Sequence, residues 1–398
     1  MKRLLFKIVD RLTKNTEMWK KLYSDSENWT YKQLKDYQFT KLKKVCRAHN
    51  IIIKSWEDFY KLPLTTKEDL RKYNYPLSIF RNKKQLTSHS SSGSTGEPLT
   101  TYGPYFLQSI KSAIFERAWK WVGWNGKDWV LRLTAGEPEW KFFDWCRNVK
   151  PMNYRTVGPK HIEWIIKHKP FLIHGGAGAI REITTKIREI GMEYVLKDIN
   201  LFLMSEDTRQ HEKELSKYYK NVYSGYGLAE LCTVASHCKC KSWHVNMETC
   251  IVESINGEIV ITDLDNYITP ILRYRTSDFG RVKHSNCGCG IKHDILYDII
   301  GRGIDYYDGP LTKKSLGWWI VSPISHKYED IISRWKVKVD LKKNKFILYV
   351  VWKKKPENCD EFIWYSDFIK RESGLDLEII EVKKMPNKNR MKLLEIVE

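Results

Sequence analysis

The sequence has no apolar run approaching the roughly 20 residues of a membrane span. It also lacks a secretory leader pattern: its start, MKRLLFKIVDRL, interleaves charges with short apolar stretches and reads as an amphipathic helix. These absences argue against a transmembrane or exported chain and make the cytoplasm the expected location. No internal repeat is evident, and no Ser–His–Asp or Cys–His pair stands in a recognisable nucleophile motif. The Walker A signature G-x-x-x-x-G-K-[ST] is missing as well, because Glu97 follows Gly96 where that loop needs Lys. Disorder is excluded over most of the length, since hydrophobic residues make up 42% and aromatics 13%, including 16 Trp.

What is present is a chain of 398 residues, enough for two domains or one oversized one. Its net charge of +20 suits polyanions: nucleic acid, an anionic membrane surface or a phosphate-rich small molecule. The basic residues are spread along the chain instead of gathered in one tail, which favours a generally lysine-rich composition over a dedicated polyanion patch. Of nine Cys, six fall between Cys232 and Cys289. Without a secretory leader, that crowding points to a metal site more than to a disulfide framework.

Read in order, residues 1–60 form helices, and Thr66 before KEDL is a helix N-cap. Helical periodicity over 105–122 leads into alternating strands and helices: strands at 129–133, 171–174, 199–204 and 221–224, helices at 160–169, 179–190 and 211–219. From Cys250 the pattern turns strand-rich, with separate segments CIVES, GEIVITDL, ILRYR and GRVKH. After Gly303 a hairpin (335–341 and 346–352), a helix (361–373), a strand (377–382) and a basic stretch follow. The fold class is therefore α/β: a large N-terminal α/β domain (1–303) with parallel-strand-rich sheets, and a small α+β C-terminal domain (304–398).

The densest concentration of hydroxyls and glycine is His89–Thr101, HSSSGSTGEPLTT. Its glycines let backbone N–H groups converge, and its Ser and Thr hydroxyls can donate to phosphate oxygens. Composition alone would favour a flexible Ser/Gly linker. Four further stretches stand behind it in order: GYGLAE (225–230), ITDLDNYITPILRYRTSD (261–278), IIGRGID (299–305) and MPNKNRMKLLEIVE (385–398). Together these resemble the adenylate-forming superfamily of acyl-CoA synthetases and adenylation domains. LPLTTKEDLR before the loop and TDL-x-N-x-x-x-P-x-x-RYRT-x-D resemble its phenylacetate–coenzyme A ligase-like branch, which includes capsule-biosynthesis-type proteins. The resemblance covers roughly residues 55–398.

The resemblance implies a site. Ser91, Ser92, Gly93, Ser94, Thr95 and Gly96 would hold the β- and γ-phosphates of ATP. Tyr226, followed by Gly227, would stack on adenine, and Glu230 would hold Mg²⁺, a hard cation that takes oxygen ligands. Asp278 would accept from the ribose hydroxyls, and Arg302 would reach the ribose or α-phosphate. Lys392, six residues after Pro386, would be the catalytic lysine, with Lys388 a competitor; its ammonium would offset charge building between carboxylate and α-phosphate. Each of these residues also has an ordinary reading as a turn or surface charge, and it is their order that favours the functional one. Three positions depart from the family pattern: Glu97 for Lys, Ser277 for Gly and Met391 for Gly. Arg273 and Arg275, two apart, are expected on one face of a strand with Tyr274 on the other.

Cys238-x-Cys240-x-x-x-His244 and Cys287-x-Cys289 supply thiolate and imidazole ligands for a closed tetrahedral zinc. The expected set is Cys238, His244, Cys287 and Cys289, with Cys240 the alternate first ligand. Cys46, Cys146, Cys232, Cys250 and Cys359 read as structural. The acid pocket is expected from 123–145 and 171–180, where the dense aromatics read mostly as core. The resulting expectation is an AMP-forming ligase: a carboxylic acid and Mg·ATP give an acyl-adenylate, whose acyl group passes to coenzyme A. An amine or hydroxyl acceptor is the alternative, and a homodimer is compatible with this reading. A catalytically silent, zinc-containing nucleic-acid-binding protein is the rival from another class; the ordered acidic and basic residues above argue against it.

Overall fold

The computed structural model describes residues 16–73, 86–90, 99–134, 148–204, 208–231, 233–300, 324, 327–328, 331–356, 360–382 and 394–397. After a helix over 16–26 come α1 (Tyr31–Ala48), α2 (Trp56–Tyr60) and α3 (Lys67–Lys72). Each of the three starts at a capping box, Thr30/Gln33, Ser55/Asp58 and Thr66/Asp69, so local sequence sets all three N-termini. α1 buries Leu34, Gln38, Lys41, Leu42 and Val45 along one face. Lys41 reaches through that face to Asp265 at 2.6 Å and fastens the helix to the body.

A hairpin of β1 (Leu86–Ser90) and β2 (Thr100–Pro104) precedes α4 (Leu107–Trp121). The α/β half then runs β3 (Val130–Thr134), β4 (Val149–Asn153), α5 (Pro159–His168), β5 (Leu172–Gly175), α6 (Ala177–Glu189), β6 (Asn200–Leu203), α7 (Thr208–Leu215) and β7 (Asn221–Gly227). β5 and β6 are buried on both faces, which is why they read as short continuous apolar runs instead of alternating ones. Ile165, Ile180, Ile183 and Ile187 from the helices pack on Ile173 and Leu201 of the strands.

The strand-rich half comprises β8 (Thr233–His237), β9 (Trp243–Val245), β10 (Cys250–Ile255), β11 (Glu258–Asp263), β12 (Tyr274–Lys283) and β13 (Ile295–Ile300). All join one eleven-stranded sheet in the order β10-β11-β12-β13-β9-β8-β7-β6-β5-β3-β4. The pairs β4–β3, β3–β5, β5–β6 and β6–β7 are parallel, and every pair from β7 through β8 to β10 is antiparallel. This is the expected α/β class. Two details differ from the sequence reading. ILRYR and GRVKH do not form two strands: one strand, β12, runs through with a bulge against β11. Arg273 stands just before it in the left-handed region (φ 46°), so it and Arg275 are not on one strand face.

A separate four-stranded sheet holds β14 (Ile332–Asp340), β15 (Lys345–Trp352), β16 (Asp376–Glu381) and β17 (Leu394–Val397), in the order β16-β15-β14-β17. With α8 (Ile363–Ser373) it encloses its own core of Val337, Val339, Phe346, Leu348, Tyr365 and Ile369. β14 and β15 are the hairpin that the KKNK turn suggested; β17, lying parallel to β14, was not anticipated. Among the described residues no helix is long and apolar enough to cross a membrane.

Candidate functional site

The site gathers where the two halves of the large sheet meet. β7 pairs parallel with β6 through Asn221–Ser224 and antiparallel with β8 from Gly225 onward. Gly225 marks the change: a Cβ there would run into Met204 Sδ and lie 2.9 Å from Phe202, so any other residue would force those side chains to move. The next residue is Tyr226, carried out at the C-terminal end of the strand, where open α/β sheets collect ligands.

β12 supplies the facing side. Its residues alternate buried and exposed, with Tyr274, Thr276 and Asp278 inward. The Tyr226 hydroxyl donates to Asp278 Oδ2 at 2.7 Å, and the Tyr274 hydroxyl lies 3.4 Å from Glu230 Oε1. Glu230 is 3% exposed, yet among the described residues its Oε2 has no hydrogen-bond partner. An orphaned buried carboxylate oxygen is costly unless something binds it, so the donor chemistry here fits a hard cation such as Mg²⁺.

Ser277 sits between these inward residues with φ 64°, the left-handed region that glycine prefers. Its N–H donates to Glu258 Oε1 at 3.0 Å, and Arg275 holds Glu258 Oε2 at 2.6 Å, so the bulge that turns Asp278 inward is clamped. The LPLTT segment lies against the same strand: Thr65 N–H donates to Arg273 O and Arg275 N–H to Thr65 O. Arg273 in turn binds Glu253 at 2.9 Å and the Leu62 carbonyl at 2.6 Å.

A cleft beside Glu230 is lined by His89, Lys111, Asp263, Asp265 and Asn266, among others. Sequence reasoning did not single out these five. Lys111 falls in the helical stretch 105–122, and the two Asp in the motif 261–278, none of them given a role there. Asp263 is buried, and burial together with Asp265 raises its pKa to about 7, although two backbone N–H groups donate to it. Beneath the cleft, Arg117 of α4 forms a fully buried pair with Glu248 at 2.8 Å. Burial alone would raise the Glu248 carboxyl; Arg117 and His293 hold it well below its usual range.

A second cluster lies on the strand-rich half. Cys238 directly follows β8, His244 lies on β9, and Cys287 and Cys289 lie on the β12–β13 connection, turned by the Gly290 N–H to Cys287 O bond. Their ligand atoms all lie within 4.8 Å of one another, with Cys238 and Cys287 sulfurs 3.7 Å apart and Cys289 Sγ 3.2 Å from His244 Nε2. A tetrahedron with metal–sulfur bonds of ~2.3 Å has S···S edges of about 3.8 Å, so the donor set fits zinc. Cys240 is exposed and outside this group. Burial raises the Cys238 thiol to about 12 and lowers His244 to about 4. Burial also works against ionising Cys287, but the Ser242 hydroxyl and its neighbouring groups bring it down to about 7.

Ser91, Ser92, Gly93, Ser94, Thr95, Gly96 and Glu97, and also Arg302, Lys388, Met391 and Lys392, lie outside the described residues, as do 135–145 of the expected acid pocket and Cys146, Cys232 and Cys359. Trp121 and Trp124, which are described, are buried: Trp124 against Trp119, and Trp121 over Cys238 and Ile291. Cys46 and Cys250 are buried in apolar clusters.

Against solved structures, the chain is similar to 2-hydroxyisobutyryl-CoA ligase in an open conformation with 2-HIB-AMP and CoA. The TM-score is 0.57 and the identity 14%, over 91% of this chain and 90% of that one. The chain has the fold of this CoA ligase. The same ligase in its thioesterification state gives 0.57 over 98% and 90% at 14% identity. A GH3.15 acyl acid amido synthetase is a looser likeness, at a TM-score of 0.46 and 12% identity over 91% and 88%. No protein-family model and no curated protein sequence matches the chain.

Proposed function

We propose that this chain activates a carboxylic acid with Mg·ATP and passes the acyl group to coenzyme A, as a phenylacetate–coenzyme A ligase-like enzyme. In the first step a carboxylate oxygen attacks the α-phosphorus, the bond to the β-phosphate oxygen breaks, and pyrophosphate leaves. In the second, the thiol attacks the acyl carbon and AMP leaves. The observation that carries this reading is the Tyr226–Asp278 hydrogen bond of 2.7 Å beside the buried, half-unpartnered Glu230. That pairing gives an aromatic face, a carboxylate for ribose hydroxyls and an acidic oxygen for Mg²⁺ at one strand end. When bound, Mg²⁺ neutralises phosphate charge. The places of Tyr226, Glu230 and Asp278 support the roles given to them here; the roles of Ser91–Gly96, Arg302 and Lys392 rest on motif order alone.

In this reading residues 1–303 and 304–398 are two domains, the second bringing Lys392 to the first step. Zinc at Cys238, His244, Cys287 and Cys289 ties two connections of the strand-rich half and, with four protein ligands, has no open position for chemistry. Glu97, Ser277 and Met391 leave room for an amine or hydroxyl acceptor instead of a thiol.

ATP–pyrophosphate exchange with pooled aryl, fatty, amino and sugar acids tests the first step. Wild type should exchange with one pool, and Lys392→Ala and Glu230→Ala should lose it. A folded, zinc-loaded protein that neither exchanges nor binds Mg·ATP would refute the reading.

A further inference from the structure

The phosphate end of the nucleotide poses an electrostatic problem that the loop sequence does not solve. From Ser90 to Thr101 the only charged residue is Glu97, an anion. A triphosphate tail keeps net negative charge with Mg²⁺ bound, so a protein cation is needed beside it.

α4 brings one. Gln108 and Lys111 stand one turn apart on the helix face that meets β1. Gln108 Nε2 donates to Thr87 Oγ1 at 2.8 Å, and the Lys111 ammonium lies 3.4 Å from His89 Nε2. Thr87 and His89 are alternate residues of β1 and so share one side of it. His89 pairs with Thr101 across the hairpin, which places Lys111 at the foot of the segment that connects the two strands. Lys111 and Glu230 line the same cleft, and among the described residues that line it Lys111 is the one Lys or Arg.

Two features mark this ammonium as reserved for a ligand. It is half-buried, and among the described residues no carboxylate pairs with it; its contact is the His89 imidazole. Burial and the adjoining Lys111 lower His89 to about 4, so at neutral pH the imidazole is uncharged and offers a lone pair that orients the ammonium without cancelling its charge.

We propose that Lys111 is the cation that binds the pyrophosphate end of ATP, opposite Glu230, and holds the departing pyrophosphate. This deepens the adenylation reading and rests on it. The test measures binding of Mg·ATP, Mg·pyrophosphate and AMP to the full chain by titration calorimetry. Lys111→Met keeps the aliphatic stem and loses the charge; it should weaken Mg·ATP and Mg·pyrophosphate about ten- to a hundredfold while AMP affinity stays within about twofold. Lys111→Arg should restore most of the loss. Unchanged Mg·ATP affinity in Lys111→Met overturns the proposal, and so does an equal loss of AMP, which would mark a structural role. A wild type that binds neither AMP nor Mg·ATP overturns the adenylation reading itself; a wild type that binds both beside an unaffected Lys111→Met overturns Lys111 alone.

Discussion

Asp263→Asn isolates one buried acid at the floor of the cleft. Asp263 is 7% exposed, and burial and then Asp265 raise it from 3.8 to about 7. The folded protein therefore holds its proton more tightly than the unfolded chain does. Stability from this group is full below the unfolded value near pH 4 and is lost as pH rises through 7. Three pKa units at 1.36 kcal/mol each give a ceiling of about 4 kcal/mol, of which about 3 kcal/mol falls between pH 5 and pH 8. Asn keeps an oxygen to accept the Asp265 and Asn266 N–H groups, so the packing survives while the titration disappears.

The assay is guanidinium unfolding of wild type and variant at half-unit steps from pH 5 to pH 8. Buried His174 and His237, both lowered to about 3, contribute the opposite slope as they charge on unfolding, as do His89 and His244 at about 4. Glu248, held below its normal range, acts only toward acid pH. All of these cancel in the difference between the two proteins. Stability of Asp263→Asn relative to wild type should rise by about 3 kcal/mol across the range. Parallel profiles would show that Asp263 is ionised in the fold, and the reasoning from burial would fail.

Arg117→Met removes the guanidinium paired with fully buried Glu248 and should cost about 3–5 kcal/mol of stability in the same unfolding assay. Ser277→Gly relieves the left-handed backbone at φ 64° and should raise stability by up to about 1 kcal/mol while Mg·ATP binding is retained. Gly225→Ala pushes a methyl into Met204 and Phe202 and should cost about 1–3 kcal/mol, with nucleotide binding weakened because Tyr226 adjoins it. Wild type should carry one equivalent of zinc by atomic emission; Cys287→Ser should lose it and melt at a lower temperature, whereas Cys240→Ser, outside the cluster, should keep the metal and the melting temperature.

The α/β half was legible because its strands are short apolar runs and its helices carry strong apolar faces, so period and length distinguish them. Capping at Thr66 was legible for the same local reason. β8 and β9 were not: Cys238 and His244 drew a metal reading that left their flanking residues unassigned, and three-residue β9 has no period to detect. Fusion of ILRYR and GRVKH into one strand was hidden by TSD, which resembles a turn locally; the contacts of Glu258 with Arg275 and Ser277 hold it as a bulge within the strand. β17 lay in a lysine-rich tail whose strand character depends on β14 beside it. Lys111 was invisible because helical spacing says which face a residue shares, not which strand that face meets.

The placement of the candidate site follows from one strand having two kinds of neighbour. β7 could not continue its parallel pairing past Ser224 without burying its end against helices on both faces. By exchanging β6 for β8 at Gly225 it leaves the helix-covered half and delivers Tyr226 to the rim. The antiparallel half then folds β12 so that two of its inward side chains, Tyr274 and Asp278, meet Glu230 and Tyr226 from the loop and end of β7. The four side chains thus come from two strands that are not adjacent in the sheet, separated by β8, β9 and β13. Strand spacing in a flat sheet would hold them about 19 Å apart, so curvature of the sheet, the β12 bulge and the reach of the side chains together bring them within hydrogen-bonding distance. The Cys238–His244–Cys287–Cys289 cluster joins the β8–β9 turn to the β12–β13 connection, within the part of the sheet that must curve. Metal there would fix that curvature, and with it the distance between Tyr226 and Asp278, without touching either residue.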